Sequence, residues 1–203
     1  MNVKGNIENE TARRSGFDES GVSANNRVVE RHEFVYGAYW RSYDFSANSG
    51  KQNIKKNPLS FEEAGGEIIF NLPNVMQAYM LVNARGGRIH TGPIDIVNNK
   101  ENPSDPVVRN GLTCMSCHAQ GMKPFDDRSD EVRNAILATK IGNKDFDRGK
   151  ALAIYAPKAE MKRLADSDAR VLANAVRATG SEARTEEPIV ALAAKFKSSP
   201  TSR

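Results

Sequence analysis

The apolar residues change their spacing about halfway along the chain. Before about residue 105 they fall in short runs bounded by turn residues, which predicts strands. Ile68–Phe70 and Met76–Val82 are two such runs, with Leu72-Pro73-Asn74 as a turn between them. Ala84-Arg85-Gly86-Gly87 reads as a hairpin turn in which glycine supplies positive φ, and Arg88–His90 and Ile94–Val97 as further short strands. Asn99–Gly111, with Pro103 and Pro106, reads as a linker. Beyond it the spacing turns helical. One helix has Ser129 as N-cap, acids in its first turn and Gly142 as terminator. A second, over 144–157, is interrupted by Gly149 and stopped by Pro157. A third, over 159–180, carries Leu164, Val171, Leu172 and Val176 and ends at Gly180. A last helix begins near Glu186, with Pro188 in its first turn. The expected fold class is α+β, a small antiparallel β meander followed by a mainly helical domain.

Between and around these elements the chain is polar. Residues 1–30 are rich in Asn, Ser, Gly and charge, and read as an arm, disordered or draped over another surface. Phe34–Phe45 concentrates aromatic residues, among them Tyr36, Tyr39, Trp40, Tyr43 and Phe45. Such a cluster reads as sheet-packing core or as one wall of a cofactor pocket, which is itself a packed surface. The stretch 51–66, broken by Pro58 and the Gly65–Gly66 pair, reads as loop. The expected organisation is an arm (1–30), an aromatic and β-rich segment (31–105), a helical domain (106–180) and a C-terminal helix (181–203).

Composition narrows the function classes. With 39% hydrophobic and 27% charged residues, the 203-residue chain has material for a modest core. Lys and Arg total 29 against 25 Asp and Glu, a mild excess with no basic block interleaved with aromatics, so no nucleic-acid partner is expected. No apolar run approaches the roughly 18 residues that span a bilayer.

The chemistry is concentrated in NGLTCMSCHAQGMKP, residues 110–124. It holds both cysteines of the chain, Cys114 and Cys117, and His118, one of three histidines. Cys-x-x-Cys-His is the attachment signature of c-type haem. Two thiols add across the two vinyl groups of the porphyrin, and the adjacent imidazole takes the iron from below. A thioredoxin-like pair needs a βαβ context, whereas here a loop precedes the motif and helices follow. A zinc site needs four N or S ligands, and only the distant His32 and His90 could complete it. A disulfide across this spacing closes a small loop of little stabilising value. Covalent haem c, with its iron, accounts for the residues best.

From Asn26 onward the chain resembles a group of exported bacterial proteins with a cytochrome c-type haem site. The residues that carry this are NRVVERH, YGAYWRSYDF, GGEIIFNLPNVMQAYMLVNARGGRI, NGLTCMSCHAQGM and, more weakly, AEMKRLADSDARVLANAV and EEPIVALAAKF. The resemblance spans most of the chain. It implies export, haem ligation and a cytochrome c-like unit at 106–180 behind a β-rich segment, and no particular reaction. Small cytochromes c commonly carry Met followed by Pro ahead of the last helix, whereas here Met161 is followed by Lys162.

The second axial ligand is open at this level. Met161 is the leading candidate, because it lies far enough along the chain to reach the opposite face of the ring. His32 and His90 are the imidazole alternatives. Met122, four residues after His118, and Met115, between the cysteines, read as packing against the haem edge. Met76 and Met80 read as core, and the charged stretches KRLADSDAR and NKDFDRGK as solvated surface.

The expected function is single-electron transfer in the periplasm or another exported compartment, with a redox partner protein and no catalytic residues. The polar N-terminus has no signal-peptide core, so export implies a leader that is not in this sequence. AAKFKSSPTSR, at the other end, leaves room for truncation there. The alternatives are a five-coordinate haem enzyme acting on peroxide or a small ligand, and a haem-bearing part of a larger partner-binding protein. Nothing in the sequence sets the oligomeric state.

Overall fold

Six strands pair antiparallel in chain order: β1 (Arg13–Phe17), β2 (Arg27–Phe34), β3 (Gly37–Asp44), β4 (Gly65–Asn71), β5 (Gln77–Asn83) and β6 (Arg88–Ile89). The structure is a computed structural model that describes residues 3–100, 102–125, 127–138 and 146–180. Its helices are α1 (Val3–Glu8), α2 (Leu112–Cys117), α3 (Glu131–Ala138), α4 (Arg148–Ile154) and α5 (Lys158–Ala178). The fold is α+β, as the change in apolar spacing predicts. Among the described residues no helix is long and apolar enough to cross a membrane.

Register explains how one sheet serves two layers. Phe17 opposes Arg27, Val29 opposes Ser42, Trp40 opposes Ile69, and Glu67 opposes Leu81. Side chains alternate along a strand, so these residues share one face, called here the front. Val29, Trp40 and Ile69 pack there against Phe125, Ala156, Met161, Leu164 and Ala165. On the rear, Val28 and Tyr43 join Val132, Ile136, Ala151 and Tyr155 from α3, α4 and the residue after it. Tyr39, Ile68 and Val82 form a smaller rear cluster with Val3 of α1 packed on it. The helices α3, α4 and α5 thus share their cores with the sheet.

Several expectations need correction. Residues 1–30 are not a draped arm: residues 3–30 supply α1, β1 and the first half of β2. Their low apolar content is offset by a buried ion pair between Arg14 and Glu30, which face each other across β1 and β2. Arg14 also donates to the Pro58 carbonyl at 2.8 Å and lies over the rings of Phe61 and Tyr155. Glu30 accepts from the Tyr43 hydroxyl at 2.9 Å and contacts the His32 ring at 2.6 Å. Hydropathy counts such residues as solvent-facing, because it does not see their partners.

Ile94–Val97 is a turn and not a strand, closed by the Ile96 and Val97 amides on the Pro93 carbonyl at 3.0 and 2.9 Å. Ser129 does not cap the next helix. It is buried inside a 3-10 turn, Asp127–Asp130, its hydroxyl has no partner, and α3 begins at Glu131. Gly65 and Gly66 open β4 where a loop is expected, because a Cβ on Gly66 would run into the Ser42 carbonyl. KRLADSDAR is not wholly solvated: Asp168 accepts from Arg31 at 2.8 and 3.0 Å and from the Trp40 indole at 2.8 Å. Gly142 and the helix expected near Glu186 lie outside the described residues.

Two predictions follow from the buried charges. Burial raises the Glu30 carboxyl, but the Arg14 charge and the His32 and Tyr43 hydrogen bonds overcome it and hold the group below its ordinary range. A depressed carboxyl contributes stability that is complete above its unfolded value of about 4 and is lost as pH falls below that. Denaturant unfolding followed downward from neutral pH is expected to show this loss, and Glu30→Gln to flatten it. That variant also leaves Arg14 buried without its partner, at a cost of about 3–5 kcal/mol. Asp168→Ala removes the tie between α5 and the sheet and is expected to cost about 2–3 kcal/mol. Intrinsic fluorescence of Trp40, the single tryptophan, reports the same change as a red shift.

Candidate functional site

The Cys-x-x-Cys-His segment is tied to the sheet before its helix begins. Asn110 accepts from the Leu81 amide of β5 at 2.8 Å through its side chain and donates to the His90 carbonyl at 2.8 Å through its backbone. Thr91 and Arg109 form an antiparallel bridge beside it. The Thr113 hydroxyl accepts from the Arg109 amide at 3.0 Å and steadies the first turn of α2. The six residues of α2 are not held by amphipathic packing. Their position comes from this edge, which is why so short a helix occurs here at all.

The helix delivers the three motif residues together. Cys114 is buried and Cys117 half-buried, and the two are not joined by a disulfide. His118 closes the helix, its amide bonded to the Cys114 carbonyl at 2.8 Å. The chain then folds back through Gly121, whose φ of +96° strongly favours glycine. That turn aims the Gly121 carbonyl at Nδ1 of His118, 3.1 Å away. A carbonyl only accepts, so Nδ1 carries the proton and Nε2 presents its lone pair. Nε2 points toward Glu67 on β4, with 3.8 Å between it and a carboxylate oxygen.

Between α2 and the front of the sheet lies a cavity of about 370 Å³. Cofactor sites span about 300–1,000 Å³, so this lies within that range, near its lower end. Cys114, Cys117 and His118 form one wall. Val29, Trp40, Ile69 and Leu81 form the facing wall, and Phe17 and Phe125 close an end. The Phe125 ring lies 5.9 Å from that of Trp40 and 6.1 Å from that of Phe17. Arg27, Arg41, Lys123 and Arg128 also border the space. Arg27 pairs with Asp44 at 3.4 Å and Arg41 with Glu63 at 3.0 Å.

The other candidate ligands are not brought here. Met161 is fully buried in the front core among Trp40, Phe125 and Leu164, and it does not line the cavity. His32 is fully buried on the rear face, stacked on Tyr39 at 4.5 Å and bonded to Glu30 and Asn6. His90 is exposed beyond β6. Of the two methionines read as haem-edge packing, Met122 lines the cavity beside His118 and Met115 does not. Met80 joins the rear cluster. Of the aromatic cluster, Trp40 forms cavity wall, Tyr39, Tyr43 and Phe45 are rear core, and Tyr36 is exposed. Among the described residues no group of three or more His, Cys, Asp or Glu side chains is arranged to hold a metal by itself.

Electrostatics set the state of each group. Burial pulls the His118 imidazole below its ordinary value against Glu67 and the Gly121 carbonyl, so it is neutral at pH 7. The Cys114 thiol is pushed up by burial and then by the neighbouring Glu67 carboxylate, which keeps it protonated. Asp44 is raised by burial against the pull of Arg27.

Glu67 is the residue that the sequence reading passed over. It stands in GGEIIF, two positions before Ile69, so alternation puts it on the front face with the wall residues. A single acid at the head of an apolar strand was the available signal.

Comparison with protein-family models, with curated proteins and with solved structures finds no match to this chain.

Proposed function

We propose that this chain is a covalent c-type haem protein that carries single electrons in an exported compartment, the periplasm in a bacterium with two membranes. One observation carries the reading: Cys114, Cys117 and the Nε2 face of His118 wall a single cavity whose opposite side is apolar and aromatic. Cys114 and Cys117 would hold the group by thioether bonds, and His118 would ligate its iron. Bound haem supplies a one-electron iron couple. On this reading the region 106–180 is the cytochrome c-like unit, and the sheet covers the face that an isolated helical domain would leave open.

The residues of the chain supply the rest. Gly121 fixes the imidazole in the tautomer that frees Nε2. Trp40, Ile69 and Leu81 exclude water, which limits the solvent reorganisation that electron transfer requires. Lys123, together with Arg27 and Arg128, which pair with Asp44 and Glu19, borders the space that a cofactor bearing two carboxylates would fill. The partner would be a redox protein docking weakly and transiently.

A second reading, a haem enzyme with an exchangeable iron position, is favoured by one observation. Met161, His32 and His90 all lie off the cavity. Ferric protein that binds cyanide and ferrous protein that binds carbon monoxide would support it.

The haem reading is tested by maturing the full chain with a haem-attachment system outside the cytosol. Its intact mass is expected to exceed that of the polypeptide by one haem, with neither cysteine open to alkylation. Cys114→Ser and Cys117→Ser should each retain one thioether and shift the pyridine haemochrome band to the red, and His118→Ala should lose the iron ligand. A mass equal to the bare polypeptide with both thiols alkylatable excludes the proposal.

A further inference from the structure

We infer that Glu67 is the second axial ligand, a carboxylate facing His118 across the iron; this rests on the haem reading above.

Glu67 is a costly side chain where it stands. Glu67 sits on β4, in the interior of the sheet, with its amide bound to the Ser42 hydroxyl at 2.9 Å. Its side chain is 12% exposed, and one carboxylate oxygen is buried with no hydrogen-bond partner. Of the cations that border the cavity, Arg27 pairs with Asp44 and Arg128 with Glu19, and Lys123 lies near enough to His118 to act on its charge. A carboxylate with little access to water is stable when it is paired with a cation, bound to a metal or protonated. Among the described residues the like-charged Asp44 and the Ser42 hydroxyl lie beside Glu67, and its two neighbours across the cavity are the Cys114 thiol and His118 Nε2.

Haem attachment would consume both neighbours. Each thioether forms by adding S–H across a vinyl group: sulfur bonds one carbon, the hydrogen goes to the other, and no oxidant is used. Cys114 then has no hydrogen to donate, and the Nε2 lone pair is on iron. Glu67 would be left buried with neither contact, unless the iron itself answers its charge.

The placement brings a nitrogen lone pair and a carboxylate oxygen to face each other on one cavity. Nε2 and the Glu67 oxygen are 3.8 Å apart. The residues otherwise suited to the second position, Met161, His32 and His90, are all held in or beyond other packing.

The test uses the matured full chain. Iron K-edge absorption on the ferric protein is expected to show one imidazole and one axial oxygen, and no sulfur. Glu67→Gln should alter the ferric spectrum and spin state with the haem mass unchanged, and should bind cyanide on the order of tenfold more tightly, because no anion has to be displaced. Glu67→Met should give a low-spin iron with a near-infrared sulfur band and a higher potential, while Met161→Leu changes nothing. An axial sulfur or second imidazole in the unmodified protein overturns the assignment, as does a Glu67→Gln or Glu67→Met spectrum that superimposes on it. These results leave the haem reading standing. Absence of covalent haem from the unmodified chain overturns both.

Discussion

Asp168 is the point at which three parts of the molecule meet. Its carboxylate lies on α5, takes both guanidinium donors of Arg31 on β2 and takes the indole N–H of Trp40 on β3. The Trp40 ring is at once a member of the front core and a wall of the cavity. The helix is thereby locked in register against two adjacent strands, and the aromatic wall is oriented by the same oxygen atoms. Charge-assisted bonds with little access to water are among the stronger local constraints a protein has. Apolar contacts from Met161, Leu164 and Ala165 fill the space that this constraint defines, but they would tolerate sliding, and the bidentate pair does not.

That dependence shows why part of the architecture was readable from the sequence and part was not. The strands β4 and β5, the turn at Gly86 and the long helix α5 each announce themselves by local apolar spacing and turn residues, and each is present. The motif residues were legible because their chemistry is local: three side chains within five positions carry it. What escaped was everything that depends on partners distant in sequence. β1 was hidden because Arg14 is soluble by composition and buried by virtue of Glu30, sixteen residues later. Asp168 looked like one more charge on an exposed helix, since Arg31 is 137 positions away. Ser129 looked like a cap because the sequence does not reveal the 3-10 turn that buries it.

Met161 illustrates the same limit from the other side. A methionine ahead of a helix is the local pattern of a haem ligand, and no local feature tells such a residue from a core methionine. The difference is made by the sheet. Val29, Trp40 and Ile69 come up against α5 and enclose the thioether in apolar surroundings, where a flexible, polarisable side chain fills an irregular gap well. In a helical domain standing alone that surface would be free. Here it is already covered.

Two glutamates on opposite faces of one sheet, Glu30 fully buried and Glu67 with one buried oxygen, make the functional point. Glu30 is enclosed by Arg14, His32 and Tyr43, so its charge is answered from every side and the group belongs to the framework. Glu67 faces the cavity with one oxygen unpartnered, beside a thiol and an imidazole that the proposed chemistry would consume. A fold that needed only stability would place Leu or Val at Glu67, between the apolar neighbours Ile69 and Leu81. Retaining a carboxylate there costs free energy in the polypeptide alone. On the proposed reading an iron held by the Cys114–His118 segment would offset that cost.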